Sequence, residues 1–391
     1  MSIPYGRQNI SQEDIDAVTS VLKSDFLTQG PVVKQFEYAV AAYCGVRRGV
    51  AVSSATAALH LACLALGVRP GDQVWTSPIT FVASANCAAY CGANVDFVDI
   101  DSRTYNMDVN ALEEKLVLAE KAGKLPKVVI PVHMCGQSCE MERVNSLAQR
   151  FGFRVIEDAS HAIGAKYKGE PVGGCRYSDI TVFSFHPVKI ITTGEGGMAL
   201  TNDPELAAVM ERLRSHGITR DSEEMSRLPD GPWFYEQIDL GFNYRMTDMQ
   251  AALGMSQMTR LDQFVAQRHV LADGYDRLIN PEIAVTPWRH PDTYSSFHLY
   301  VIQLNLKILK VTQKEIFERL LSHGIMANLH YIPLYRHPYY RATGHEATWL
   351  EKAENYYSHA ITLPLFPGLG AEQQCQVVDS MKTPKGFQTI F

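Results

Sequence analysis

Three places in the chain carry residue types that could do chemistry together. The first is Lys189, within the run DITVFSFHPVKIITTGEGGMAL over residues 179–200. Apolar residues flank this lysine on both sides, and the Gly-rich Thr193-Gly194-Glu195-Gly196-Gly197 follows it. A lysine suits an apolar setting only when its charge is removed or compensated. A Schiff base with an aldehyde cofactor removes the charge, and desolvation lowers the amine's pKa toward the nucleophilic form. The second is Asp158, in Glu157-Asp158-Ala159-Ser160-His161, where an apolar strand pattern ends. Ligands of parallel sheets gather at such strand ends. The third is Ser54-Ala55-Thr56, between the apolar Gly49-Val50-Ala51-Val52-Ser53 and the helical AALHLACLALG. Backbone N–H groups and hydroxyls at a helix start favour an anion. Singly, each has an ordinary reading: a lysine snorkelling from a loop, a helix-capping aspartate, a Ser/Thr N-cap. In this order along one chain they meet three needs of pyridoxal 5′-phosphate. Its phosphate wants a helix N-terminus, its ring nitrogen a carboxylate, and its aldehyde an amine.

The elements that must position these groups alternate. Apolar patterning predicts strands over 73–76, 95–100, 128–132 and 154–156, with helices over 81–91, 110–120 and 141–150 between them. Ser11-Gln12-Glu13-Asp14 caps an N-terminal helix, and Pro31 opens the next. Strands alternating with helices argue for a mostly parallel sheet covered on both faces. After a helix over 205–215, the polar stretch 220–231 reads as a mobile loop, and a long helical pattern then runs through about 279. Pro281, Pro287 and Pro291 break the periodicity there. The expected division is a large domain, residues 1–280, and a smaller C-terminal α/β domain, residues 281–391. In the smaller domain strands are expected over 298–304 and 326–331, with a helix over 312–322.

Bulk composition narrows the function classes. Over 391 residues the net charge is −6, which leaves no basic surface of the kind a nucleic-acid binder needs. No apolar run approaches the roughly 20 residues of a membrane span. The N-terminus turns polar at once, unlike a signal or transit peptide. The eight cysteines are scattered, as suits reduced thiols in a cytoplasmic protein. Cys135 and Cys139 lie near His133 but lack a second ligand pair, so no metal is expected. Neither G-x-G-x-x-G after a first strand nor G-x-x-x-x-G-K-[ST] is present, which speaks against dinucleotide and P-loop chemistry.

The chain resembles the sugar aminotransferases of the DegT/DnrJ/EryC1/StrS group along essentially its whole length. The motifs that carry the likeness are Ser54-Ala55-Thr56, Phe81-Val82-Ala83-Ser84-Ala85-Asn86, Glu157 to His161, Ser184-Phe185-His186-x-x-Lys189 with Glu195-Gly196-Gly197, and Gly241-Phe242-Asn243-Tyr244-Arg245. The resemblance implies the aspartate-aminotransferase (fold type I) architecture. It implies that Lys189 forms the Schiff base and shuttles the proton, cycling the cofactor through its pyridoxamine form. Asp158 would pair with the pyridinium nitrogen, Phe81 would stack on the ring, and His161 would sit beside the ring hydroxyl, where many relatives carry Gln. Ser54, Ala55, Thr56 and Ser184 would hold the phosphate. Asn243 would reach that phosphate from a second subunit, so a homodimer with shared sites is implied. Within the group, Ile3-Pro4-Tyr5-Gly6-Arg7-Gln8, Leu27-Thr28-Gln29-Gly30 and His330-Tyr331-x-Pro333 are most similar to the pseudaminic acid branch. That branch aminates C4 of a UDP-linked 4-keto sugar with glutamate as donor. Tyr5, Phe26, Leu27, Thr28, Arg245, His330 and Tyr331 are the candidates for the nucleotide sugar. The related 3-dehydratases carry histidine in place of the lysine, so Lys189 favours transamination. A perosamine- or bacillosamine-type substrate stays open, because variable loops read sugar stereochemistry. A regulator that binds the cofactor without turnover would be expected to append a DNA-binding module, and none is visible.

Overall fold

The computed structural model describes residues 2–382. Its centre is a seven-stranded sheet: β1 (Arg48–Val52), β2 (Gln73–Thr76), β3 (Asn94–Phe97), β4 (Val128–Ile130), β5 (Arg154–Asp158), β6 (Ile180–Ser184) and β7 (Gly197–Thr201). The spatial order is β1-β7-β6-β5-β4-β2-β3. Strands β3, β2, β4, β5 and β6 are mutually parallel, and β7 runs antiparallel to both β6 and β1. The carboxyl ends of β1, β2, β5 and β6 therefore share one edge with the start of β7.

Both faces of this sheet are covered, which is why its strands read as continuous apolar runs. Alternate residues serve different cores. Val50, Val52, Ile180, Val182 and Ala199 pack beneath the helix Ala55–Ala65 and its neighbours. Ala51, Phe183, Met198 and Leu200 face Phe36 of the helix Pro31–Cys44. A third core joins Tyr300, Ile302, Ile316, Leu320, Ile361 and Val377 around the three-stranded sheet of Ala284–Val285, Tyr300–Leu304 and Ala360–Leu363. Ile3 belongs to this third core, because Ile3–Pro4 pairs in parallel with Ile325–Met326. The start of the chain is thus laid against its C-terminal part.

Two expected elements differ. The long helical pattern is two helices, Asp248–Met258 and Leu261–Leu278. The break is pinned from outside: Arg260 pairs with the buried Asp14 at 2.5 Å, and Asp14 also accepts from Ser256 and Gln257. The second of these helices spans two cores, with Phe264 in one and Tyr275 in the other. The strand expected over 326–331 stops at Met326, because its ladder partner among the described residues, Ile3–Pro4, is two residues long. Beyond it, Asn328 bridges to Thr362 and the chain carries His330 inward. The stretch 220–231 is flanked by a short antiparallel pairing of Ile218–Thr219 with Glu236–Gln237. No helix among the described residues is long and apolar enough to cross a membrane.

Candidate active site

At the shared strand edge lies a cavity of about 700 Å³. Its volume is within the range of cofactor and ligand sites. Ser54, Ala55, Thr56, Phe81, Asp158, His161, Ser184 and Lys189 all line it, as do Tyr5, His330 and Tyr331. The anion seat follows β1 directly. Ser54 caps the helix, its Oγ accepting from the Ala57 N–H at 3.1 Å. The N–H groups of Ala55 and Thr56 are left without helical acceptors, as in any first turn. Gly197, at the start of β7, makes room for this turn. A Cβ there would lie 2.5 Å from the Ala55 nitrogen and the Ser54 carbonyl carbon, so only glycine fits.

Asp158 ends β5 and is 4% exposed. Its Oδ2 accepts from Ser84 Oγ at 2.6 Å and its Oδ1 from the Ser160 N–H at 3.1 Å. Ser84 lies 2.7 Å from Thr80 Oγ1. Because Ser84 spends its proton on the carboxylate, Thr80 must donate to Ser84. The hydroxyl relay fixes the carboxylate in orientation.

Lys189 follows β6 in a turn closed by its own N–H to the His186 carbonyl at 2.9 Å. Its side chain borders the cavity and keeps some accessible surface. Protein still encloses it deeply enough that desolvation lowers its ammonium to about 8, against the opposing pull of Asp158. No carboxylate among the described residues forms an ion pair with it. At neutral pH about a tenth of such an amine is unprotonated, hundreds of times more than for an ordinary lysine.

Three buried imidazoles complete the wall. His161 Nε2 lies 3.1 Å from Tyr331 Oη, and its Nδ1 has no partner. His330 Nδ1 contacts Thr362 Oγ1 at 2.9 Å, with its ring 5.1 Å from Tyr5. His298 packs against His161 at 4.4 Å between ring centroids. Burial, reinforced by the nearby Lys189 charge, lowers all three, His330 to about 3. All three are therefore neutral at physiological pH. Phe81 is 57% exposed at the mouth, its ring 6.3 Å from Tyr331.

Five expected site residues lie outside this cavity. Phe26 and Leu27 are exposed, and Thr28 bridges to Thr247. Asn243 bridges to Ser215, and Arg245 to Val52 at the end of β1. Sequence reasoning also passed over residues that the fold brings in. Ser84 was quoted within a motif without a role, and its i, i+4 spacing from Thr80 was the available signal. Ser160 lies two residues from Asp158 within the same quoted motif, whereas His298 carries no such signal, since its neighbour His161 is distant in sequence.

A desolvated reactive amine, a held carboxylate and a helix start around one cavity fit pyridoxal 5′-phosphate, with Ser54, Ala55, Thr56 and Ser184 for its phosphate, Asp158 for its ring nitrogen and Lys189 for its aldehyde.

Comparison with known proteins agrees. The DegT/DnrJ/EryC1/StrS aminotransferase family matches residues 8–382. The UDP-4-amino-4,6-dideoxy-N-acetyl-beta-L-altrosamine transaminase of Campylobacter jejuni is 38% identical over 391 residues, covering 98% of this chain and 99% of the relative. The GDP-perosamine synthase of Caulobacter vibrioides is 38% identical over 349 residues, covering 87% and 86%. Among solved structures, Helicobacter pylori PseC, an aminotransferase involved in the biosynthesis of pseudoaminic acid, superposes with a TM-score of 0.87 at 33% identity. It covers 97% of this chain and 98% of its own. The chain belongs to the DegT/DnrJ/EryC1/StrS aminotransferase family, and its cofactor is pyridoxal 5′-phosphate.

Proposed function

We propose that this nucleotide-sugar aminotransferase moves an amino group from L-glutamate to C4 of UDP-2-acetamido-2,6-dideoxy-β-L-arabino-hex-4-ulose. The product is UDP-4-amino-4,6-dideoxy-N-acetyl-β-L-altrosamine, in pseudaminic acid biosynthesis. The observation that carries this reading is end-to-end similarity to a transaminase named for that product. It is supported by Tyr5, His330 and Tyr331, which come from the two ends of the chain and meet in one cavity.

Bound pyridoxal phosphate supplies an electron sink that makes the C–H bond beside the substrate nitrogen acidic. The chain supplies the rest. The helix start and Ser184 hold the phosphate end, and Asp158, fixed by Ser84 and Ser160, holds the ring nitrogen. Lys189, once released, carries the proton, a task suited to an amine tuned near the working pH. His161 and Tyr331, hydrogen-bonded to each other, form part of the cavity wall. Asn243 and Arg245, outside their own chain's cavity, would serve the cavity of a second copy in a homodimer. Phe26, Leu27 and Thr28 are assigned to the nucleotide sugar on the same basis. The protein would work in the cytoplasm, where nucleotide sugars and glutamate are available.

The test is the visible spectrum of the cofactor-loaded protein, before and after glutamate and then after each UDP-4-keto-6-deoxy sugar. Loss of the visible band with glutamate, and its return with the L-series UDP sugar alone, is expected. The second reading is a perosamine-type substrate, which the equal identity to a GDP-perosamine synthase favours. Return of the band with GDP-4-keto-6-deoxymannose in place of the UDP sugar would move the protein to that reaction.

A further inference from the structure

The strand β5 ends in two consecutive acids, Glu157 and Asp158, and only Asp158 lines the cavity. Side chains alternate across a strand, so Glu157 points to the opposite side of the sheet. Either carboxylate could serve a ring nitrogen, and the placement of the strand end decides which one does. The backbone ladder holds that end loosely on the β4 side. β4 pairs with β5 at Val128–Arg154 and Val129–Val155, and beyond these through an isolated bridge of Val132 to Asp158. Between ladder and bridge stands Pro131, which has no N–H to donate. The Glu157 side chain ties the end instead. Its Oε2 is 2.6 Å from His133 Nε2. His133 Nδ1 accepts the Cys139 N–H at 3.1 Å, which leaves Nε2 to donate to Glu157. Glu157 Oε1 accepts from Thr181 Oγ1 at 3.0 Å and from Ser178 Oγ. Thr181 lies opposite Glu157 on β6, the strand that leads to Ser184 and Lys189. His133 grips the strand end a second time, its N–H donating to the Asp158 carbonyl at 3.0 Å. Both His133 and Glu157 are buried, and neither lines the cavity.

We propose that Glu157 is a positioning residue that locks the end of β5 between His133 and Thr181, so that Asp158 is the acid presented to the cofactor's ring nitrogen. Stability alone does not call for this tie. A buried carboxylate costs desolvation, and well-packed apolar side chains in place of such a pair are often neutral or stabilising. What a buried polar tie supplies is register. A shift of one residue at a strand end exchanges faces, carrying Glu157 to the cavity and Asp158 away from Ser84. That shift would strip Glu157 of three donors at once and leave them unpaired in a buried setting. Burial pushes the Glu157 carboxyl up, but His133, Ser178 and Thr181 outweigh it and hold the carboxyl below its usual range, so the group they grip is ionised at neutral pH. The assignment rests on Asp158 serving the ring nitrogen and is independent of which sugar is aminated.

The test is a double-mutant cycle on cofactor affinity, read by equilibrium dialysis of pyridoxal 5′-phosphate, with thermal unfolding as the folding control. Glu157→Leu removes all three ties and should weaken cofactor binding roughly tenfold or more in the wild-type background. In the Asp158→Asn background the same substitution should change affinity by less than about twofold, because the group it positions has lost its charge. Glu157→Gln still accepts from His133 and lets the two hydroxyls turn to accept, so it should recover binding to within about threefold of wild type. If Glu157→Leu does not fold, Thr181→Val serves in the same cycle. It keeps the shape, removes one tie, and should cost about three- to tenfold in the wild-type background. NMR of cofactor labelled at the ring nitrogen should show the protonated form in wild type and Glu157→Gln, and a smaller share of it in Glu157→Leu. Equal losses in both backgrounds would make Glu157 a structural residue only and overturn the assignment, as would unchanged affinity in folded Glu157→Leu. Unchanged affinity in Asp158→Asn alone would remove the reading of Asp158, and this assignment with it.

Discussion

Replacing Ser84 with alanine tests whether the hydroxyl relay beneath the cavity orients Asp158. In the native chain Thr80 donates to Ser84 at 2.7 Å, and Ser84 donates to Asp158 Oδ2 at 2.6 Å. Ser84 is wholly buried, so water cannot replace the lost hydroxyl without a new cavity. The variant loses one hydrogen bond to a charged acceptor, worth about 1.5–3 kcal/mol. It also strands the Thr80 hydroxyl, which adds about 1 kcal/mol against the fold unless the side chain turns to another acceptor. If the first amount appears in cofactor binding, the dissociation constant for pyridoxal phosphate rises roughly 10- to 150-fold. Equilibrium dialysis of the cofactor measures this directly, with Asp158→Asn as the reference for complete loss of the carboxylate. Ser84→Thr, which keeps the hydroxyl, should recover most of the affinity where its methyl is accommodated. A cofactor affinity for Ser84→Ala within twofold of wild type, while Asp158→Asn falls far below, would refute the relay.

Three other outcomes follow from particular contacts. Lys189→Ala should form no product and show no visible cofactor band; in wild type stripped of cofactor, recapture of pyridoxal phosphate should speed up as pH rises and level off above about 8, where burial places this amine, as stopped-flow absorbance will show. Gly197→Ala drives a methyl to 2.5 Å from the backbone of the phosphate-binding turn, so cofactor affinity should fall more than tenfold and stability by about 1–3 kcal/mol, read from dialysis and thermal unfolding. Arg260→Ala uncovers Asp14, whose side chain is fully buried, and should cost about 3–5 kcal/mol in denaturant unfolding. Burial pushes the Asp14 carboxyl up, but donors from Ser256, the Ser11 backbone and Gln257, with Arg260, outweigh it and hold the carboxyl below its usual range. That stabilisation is complete above an ordinary carboxylate pKa of about 4 and is lost as pH falls through the lowered value. Removing Arg260 should therefore shrink the acid-side slope of stability.

The sequence alone determined the local parts of this protein. Apolar runs and turn residues foretold most strands of the central sheet, though not Gly197–Thr201, because strand and helix periodicities are properties of neighbouring residues. Lys189, Asp158 and Ser54-Ala55-Thr56 were legible for a related reason. Each sits where a strand ends or a helix begins, and a strand end in a parallel sheet already says which edge a side chain joins. Contacts between remote segments were settled only by tertiary packing. Ser84 meets Asp158 across 74 residues of chain, and no spacing rule links them. His298 comes against His161 only because the second sheet docks on the first, with Ser296 Oγ donating to the His161 carbonyl at 2.7 Å. The helix break before Leu261 is likewise imposed by Asp14, far away in sequence, rather than by any local breaker. The pattern of single residues fixes what each segment can become. The docking of segments decides which buried polar groups find partners and which, like His298 Nδ1, do not.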